Sequence, residues 1–373
     1  MTSVEWQIRE FRGRDGLLAV EASWKELLAG MAHAELCHDF KANLAYIDHL
    51  CHDPANFRCL TLADANAVVA VCPLEARSDA SLRFGLPVWG LPWHPHWQIS
   101  GVVSANERVL HELIPAVTAY LRRSAGSRPL VVFGPLPADS PLWQGLDRLP
   151  PSTYCLHDSR AADVFDCREP YDVLMARLTK HFRRNLRSHY KKLLSLDDVR
   201  LVTATDSADL ATEFQAFMTV EASGWKGSSG TGSAILLHPE LTAFYGDLAA
   251  NLGREGRCQI NSAYAEGRCI ASQFCVRVSD EWAILKIGYD ESYARVAPGL
   301  ALLQAMLEQC CADPGTNRLS LVTDGSWQRD WQPDVVGMRQ AHVAVKPLPG
   351  RSLVSLLRLR HGPAKRLAQR LRH

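Results

Sequence analysis

The stretch of this chain best equipped for chemistry is residues 284–303. A β-like run ends in the polar break Tyr289-Asp290-Glu291-Ser292-Tyr293, after which Ala294-Arg295-Val296-Ala297-Pro298-Gly299-Leu300 opens an apolar helix. A strand-to-helix junction of this kind turns backbone N–H groups and the positive end of a helix dipole towards whatever lies above it, which is the chemistry of an anion site. A diphosphate fits there. Pro298 suits the first helical position, where no N–H is needed, and Gly299 carries no side chain to keep a phosphate off the backbone. Taken locally, the same Pro-Gly pair also serves as an ordinary helix start. The patterns G-x-x-x-x-G-K-[ST] and G-x-G-x-x-G are both absent, which excludes a P-loop and a dinucleotide fingerprint.

Other reactive side chains are dispersed. The eleven cysteines are an odd number, sit mostly in apolar runs such as Val71-Cys72, Phe274-Cys275 and Cys310-Cys311, and never stand at C-x-x-C spacing. They read as buried free thiols rather than disulfides or zinc ligands. Cys269 and Cys275 lie in strand patterns without a nearby His, so packing is the better reading than nucleophilic catalysis. His94-Pro95-His96 has no further ligand cluster beside it, and the sequence therefore predicts no metal.

The elements that must position the junction follow from periodicity. In the first part, β-like runs over 6–11, 57–62, 67–73 and 130–133 alternate with helical patterns over 17–28 and 107–123, as in an α/β or α+β layer structure. A turn signal at 147–153, with Pro150-Pro151, marks a boundary. Beyond it, Leu174, Leu178, Phe182, Leu186 and Tyr190 recur every four residues, which predicts one long helix with basic residues on its other faces. A strand over 199–205 leads to a helix up to about Gly224, for which Ser207 and Asp209 are the candidate caps. A Gly/Ser loop at 227–232 and a helix over 238–252 come next. Three β-like runs over 258–264, 269–278 and 282–289 read as antiparallel hairpins, and a helix over 298–311 and a strand over 318–322 follow.

A length of 373 residues exceeds one ordinary core and suggests two domains. With 47% apolar and 22% charged residues the chain has a globular composition. No run approaches the roughly 20 apolar residues of a membrane span, and the early Glu5, Arg9, Arg12 and Arg14 do not form a signal core, so a cytoplasmic location is expected. The net charge of +1 argues against a nucleic-acid partner, yet cations cluster in two places. Residues 173–196 carry Arg177, Lys180, Arg183, Arg184, Arg187, Lys191 and Lys192 with no acid, and residues 351–373 carry seven more, again with none. Leu353, Leu356, Leu357 and Leu359 make the latter a basic amphipathic tail, which suits either a frayed end or an anionic membrane surface.

One ordered set of short motifs is more specific than any of these features. A basic helix at 180–194 precedes Glu221-Ala222-Ser223-Gly224-Trp225-Lys226-Gly227, then Ile270-Ala271-Ser272-Gln273, Lys286-Ile287-Gly288-Tyr289-Asp290-Glu291, Pro298-Gly299 and Asp324-Gly325. Over about residues 165–335 this order resembles the FemAB-related and CelD-like branch of the GNAT acyltransferases. The resemblance implies an α/β (α+β) fold of two tandem GNAT-like domains, each a mixed, largely antiparallel sheet flanked by helices. It divides the chain into a degenerate first domain at 1–155, an acyltransferase domain at 156–349 and the basic tail at 350–373. It also implies acyl-CoA or acetyl-CoA as donor and transfer of the acyl group to an amine. The branch commonly has Tyr-Lys a few residues after the Asp-Gly turn, where this chain has Ser326-Trp327-Gln328-Arg329-Asp330-Trp331.

On that reading Ile287, Gly288, Arg295, Val296, Ala297, Pro298, Gly299 and Leu300 form the donor site. Direct transfer from a thioester to an amine needs a base, donors for the oxyanion and an acid for the thiolate. Glu221, beside the Gly/Ser loop, and Asp324, after an apolar strand, are the candidate bases; a surface helix acid and a turn former are their plainer readings. Tyr289 or Tyr293 is the candidate acid for the thiolate. Trp225 and Lys226 border a loop that reads equally as a lid or as plain surface, and with Gln273 they are candidate acceptor contacts. Trp93 and His94, in an aromatic Pro-rich loop of the first half, could line an acceptor cleft, although core packing suits the tryptophans better. The compatible acceptors are an envelope amino sugar and a long-chain amine such as a sphingoid base, the latter suiting a peripheral position on an inner membrane. Aminoacyl-tRNA as donor, in the manner of FemX-like relatives, and a non-catalytic binding module of a polysaccharide assembly system are the alternatives.

Overall fold

The computed structural model describes residues 6–361 except 66, 82–84 and 125. From the N-terminus, β1 (Gln7–Arg12), α1 (Gly13–Ala19), α2 (Glu21–Ala29) and α3 (Phe40–His49) precede β2 (Arg58–Asp64), β3 (Ala67–Asp79), β4 (Leu86–Gly90) and β5 (Val103–Ser104). There follow α4 (Glu107–Ser124), β6 (Leu130–Pro137), β7 (Tyr154–Asp166), α5 (Tyr171–Arg177), α6 (Lys180–Leu193), β8 (Arg200–Ala204), α7 (Ser207–Ser223) and α8 (Pro239–Gly253). The chain closes with β9 (Cys258–Ala265), β10 (Arg268–Val278), β11 (Glu281–Tyr289), α9 (Pro298–Ala312), β12 (Arg318–Ser320), β13 (Asp334–Ala344) and α10 (Pro347–His361).

These elements form two units that are each discontinuous in sequence. Among the described residues, the first takes the chain up to Ala32, Cys51–Arg160 and Gly337–His361; the second takes His33–Leu50 and Ala161–Val336. Cuts at 155 and 349 therefore do not describe the units, because α3 lies in the second and β13 in the first.

In the first unit β1, β2, β3 and β4 pair antiparallel in that order. β4 then pairs parallel with β6, Trp89 opposite Val131, and β6 pairs antiparallel with β13. α4 makes the crossover between the parallel strands. It buries Val109, Leu113, Ile114, Val117 and Leu121, a helical stripe, against Leu60, Leu62, Phe133 and Trp89. The second unit repeats this order. β8, β9, β10 and β11 are antiparallel neighbours, β11 pairs parallel with β12 through the α9 crossover, and β12 pairs antiparallel with β7. The fold is thus two tandem α/β units, each a mixed, largely antiparallel sheet with helices.

Two local expectations change, and the reading of the cysteines as buried free thiols does not. The four-residue repeat from Leu174 to Tyr190 is not one helix: Thr179 has extended backbone angles and its side chain accepts from Phe182 N, ending one helix and capping the next. Leu174, Leu178, Phe182 and Leu186 nevertheless share one core, which is why the period survives the break. The cap of α7 is Asp206, which accepts from the amides of Ala208 and Asp209. The eleven cysteines are free, and all but Cys269 and Cys311 are buried.

The basic tail also reads differently. Val354 and Leu357 on α10 are fully buried against Val88, Leu130, Val132 and Ala344, and Arg358 donates to the carbonyls of Tyr154 and Pro151. Only Leu356 and Leu359 of the four leucines are exposed. Residues 350–361 are therefore part of the first unit's core, and the apolar face that would have met a membrane is largely occupied. Lys365, Arg366, Arg370 and Arg372 lie outside the described residues. No described helix is long and apolar enough to cross a membrane.

Two measurements probe the docking of α10. Leu357→Ala should cost about 2–5 kcal/mol in urea unfolding, the range for emptying a buried leucine site, whereas Leu359→Ala should change it by less than about 0.5 kcal/mol. The second concerns His157, whose ring stacks on His361 with centroids 3.9 Å apart and lies 5.4 Å from His342. Burial, reinforced by the charge of His342 and opposed by the hydrogen bond to the Asp158 carbonyl, holds its pKa below 6.5. The unfolded chain then takes up a proton near pH 6.5 that the folded chain resists, so this contribution is complete above pH 6.5 and lost as the pH falls towards the folded value. His157→Gln should flatten the acid limb of a plot of Tm against pH.

Candidate functional site

The site begins where two parallel strands part. β11 and β12 are in register only at Glu281, Trp282 and Ala283, opposite Arg318, Leu319 and Ser320, while β11 continues to Tyr289. Residues 284–289 therefore present one edge that β12 does not cover. Beside this edge lies a cleft of about 530 Å³. Its walls are Ile287, Gly288 and Tyr289 of β11, Glu221 at the end of α7, Gly224, Trp225 and Lys226 of the following loop, Ala294, the start of α9 from Ala297 to Leu300, and Trp327.

The start of α9 is built to leave its backbone accessible. Ala297 sits in the left-handed region at φ 48° and ψ 57°, and no side chain caps the helix. Pro298 occupies the first turn, and a Cβ placed on Gly299 would meet nothing within 4 Å. α6 packs beside this end, with His189 Nδ1 donating to the Arg295 carbonyl over 3.2 Å. Arg184, Arg187, Lys191 and Lys192 on α6 are exposed.

The opposite wall depends on close backbone contact. A Cβ on Gly288 would stand 2.6 Å from the Cα of Glu221, so only glycine lets β11 approach α7 this closely. Glu221 is buried, and both of its oxygens are engaged: Oε1 lies 3.0 Å from Lys226 Nζ, and Oε2 accepts from the Ile235 amide at 2.9 Å. Lys226 Nζ also donates to the Ile287 carbonyl at 3.0 Å, which ties loop, helix and strand together. Nearby Lys286 has its pKa lowered to about 8 by burial and by the charge of Lys226, against the opposing effect of Glu221. The Gly/Ser loop is closed on itself through bonds from Gly230 N to Gly227 O, Thr231 N to Trp225 O and Ala234 N to Lys226 O. Side chains at Gly227 or Gly230 would strike the carbonyls of Ala222 and Trp225, so these glycines allow a tight turn rather than a free hinge.

Of the residues singled out from the sequence, Glu221, Trp225, Lys226, Ile287, Gly288, Tyr289, Ala297, Pro298, Gly299 and Leu300 come together in this cleft. The others do not. Asp324 is exposed and outside the lining; its charge, after burial, helps raise the pKa of Asp163. The Arg295 side chain is exposed, whereas Val296 packs in a core with Leu193 and Ala301. Tyr293 belongs to that core and its hydroxyl donates to Glu266. Gln273 is fully buried on β10, paired in register with Ile287, and is not in the lining. Trp93 and His94 belong to the first unit, where the Trp93 amide donates to Glu75 and His94 Nδ1 accepts from the His96 amide. Gly224, Ala294 and Trp327 were not singled out; the Trp327 segment carried a signal, since it is where the chain departs from its resemblance.

Residues 180–332 match the Acetyltransferase (GNAT) domain. No curated protein matches the chain. Among solved structures, FemX superposes with a TM-score of 0.52 at 10% identity, covering 85% of this chain and 98% of that one. L-PGS from Bacillus licheniformis gives 0.51 at 13% identity, with 94% and 99% covered. The C-terminal domain (DUF2156) of a putative lysylphosphatidylglycerol synthetase from Agrobacterium fabrum gives 0.52 at 9%, with 91% and 96% covered. These likenesses extend over nearly the whole chain and concern its fold.

The two glycines of the cleft should respond oppositely to a methyl group. Gly288→Ala should cost about 1–3 kcal/mol in thermal unfolding, the range for overpacking, because its neighbour is backbone and cannot step aside. Gly299→Ala faces open space and should leave stability unchanged or raise it by up to about 1 kcal/mol.

Proposed function

We propose that the GNAT domain at residues 180–332 makes this chain an acyl-CoA-dependent N-acyltransferase whose donor lies in the cleft between β11 and α9. The observation that carries this reading is the uncapped start of α9, which opens into the cleft with Gly299 bare. Such a helix end bears roughly half a positive charge and unpaired amides, which suits a diphosphate. The exposed cations of α6 beside it favour further phosphate contact, and the uncovered edge of β11 offers amide and carbonyl groups along which the arm of the donor can lie.

The reaction is direct transfer. The amine nitrogen attacks the thioester carbonyl, a C–N bond forms, the C–S bond breaks, and the nitrogen must lose a proton while the thiolate gains one. Glu221 is the residue to which we assign the proton from nitrogen, directly or through water. Its two engaged oxygens still have lone pairs to spare, and its bonds to Lys226 and Ile235 fix its direction. Tyr289, on the same cleft wall, supplies the proton for the thiolate. Trp225, Trp327 and Tyr289 are exposed large side chains around the cleft and favour an acceptor with apolar character, such as a long-chain amine, over an amino sugar. Presentation of such an acceptor at an anionic membrane, with the chain in the cytoplasm, rests on the charge of Lys365, Arg366, Arg370 and Arg372 alone, since the apolar face of α10 is docked. The acid-free basic run of α6 favours one second reading, an aminoacyl-tRNA donor.

Calorimetric titration decides among these. Wild-type protein should bind acyl-CoA, and Gly299→Trp should weaken binding at least tenfold; equal and negligible binding in both would remove the proposal, and binding of aminoacyl-tRNA alone would install the second reading. At saturating donor, Glu221→Gln should lower kcat by about 10²- to 10⁴-fold, the usual scale of general-base loss, and Asp324→Asn should leave it unchanged.

A further inference from the structure

The second unit contains a buried cluster that the acyl-transfer reading does not use. In the segment His33-Ala34-Glu35-Leu36-Cys37-His38, ligand-type residues alternate at 33, 35 and 37, and Glu35 has the extended backbone that places alternate side chains together. The first residue of β11, Glu281, meets them. One donor atom each from His33, Glu35 and Glu281 lies within 4.8 Å of the other two, and so do donor atoms of Glu35, Cys37 and His38. Glu35 belongs to both sets.

Two facts distinguish this from a surface cluster of acids. Glu35 and Glu281 are both buried, and Glu281 Oε2, on a residue only 3% exposed, accepts no hydrogen bond; it has an ion-pair contact with Arg318 Nε at 3.3 Å. Facing carboxylates in a dry site repel, and the Arg318 guanidinium beside Glu281 offsets only one of the two charges. Asp280 Oδ1 stands 3.6 Å from His33 Nδ1, the arrangement in which a carboxylate orients an imidazole and leaves its other nitrogen for a ligand. That other nitrogen, Nε2, is 3.6 Å from Glu281 Oε2 and 3.2 Å from Arg318.

We propose that Glu35, Cys37, His38 and Glu281 form a four-donor structural site for a divalent transition metal of zinc type, with His33 beside it. Imidazole, thiolate and carboxylate are the donors zinc takes, and in a tetrahedral site they stand about 3.3–3.8 Å apart. Within each set of three the donor atoms lie up to 4.8 Å apart, so a metal would draw them together; His38 gives up the bond that its Nδ1 accepts from the Glu35 amide, and Arg318 stays with Glu281. The metal would fasten the 33–38 segment, which comes from far upstream, to the first residue of β11.

The experiment uses the full chain, freed of metal by chelation, with Zn²⁺ and Co²⁺ as probes. After dialysis against Zn²⁺ the protein should retain about one equivalent, and its Tm should rise by several degrees. Co²⁺ should give a thiolate charge-transfer band that Cys37→Ser abolishes and Cys269→Ser, at a partly exposed thiol elsewhere, preserves. Glu281→Gln should bind Zn²⁺ at least tenfold more weakly. No retained metal, or a Co²⁺ band that persists in Cys37→Ser, overturns the proposal. Should a variant fail to fold, zinc retention and the Co²⁺ band in wild-type protein still decide: without both, the two carboxylates share a proton instead.

Discussion

The contact of Gly288 with the backbone of Glu221 is the constraint on which the rest of the cleft depends. Because no side chain separates strand from helix there, the end of α7 is pressed against β11, and Lys226 can reach both the Glu221 carboxylate and the Ile287 carbonyl. A wider separation would leave Glu221 buried without its cation, a state that costs several kcal/mol for an unpaired buried charge. The ion pair is therefore as much a consequence of the glycine as of the two charged residues. Packing, electrostatics and the direction of a candidate base all follow from one missing methyl group.

Much of this was legible in the sequence, for reasons that differ by level. Strand and helix periods gave the α/β layer character, because one face of each element meets a core and the apolar spacing records it; the tandem arrangement came from the family resemblance. The same signal misread residues 174–190 as one helix: the apolar residues keep their spacing across Thr179, and the cap that breaks the helix is polar and local. The interleaving of the units was invisible because strand pairing is non-local, and nothing within 334–344 says that it pairs with 130–137. At the site, Pro298 and Gly299 were readable since a helix start has its own chemistry. Asp324 reads as a candidate base because it is a carboxylate after an apolar strand, and only folding shows that it is exposed outside the cleft. The meeting of Glu35 with Glu281 is long-range in the same sense and left no local trace.

The two units share a pairing order, four antiparallel strands followed by a parallel partner across a helix, yet their crossover helices begin differently: α9 has no side-chain cap and opens into the cleft. In the first unit the corresponding crossover helix α4 begins at Glu107, an acidic residue in its first turn, which suits the helix dipole but repels an anion. Similar topology therefore carries different electrostatics, consistent with chemistry residing in sites rather than in folds.

The exchange of closing strands carries a consequence for biogenesis. The first unit's sheet is finished by β13, which leaves the ribosome only after the entire second unit has been made. Until then the β6 edge stays unpaired, with the full row of hydrogen-bonding groups that invites association with other chains. A nascent chain of this design must keep its earliest-made half incomplete during almost the whole of translation, and a stop codon placed before β13 would strand it there.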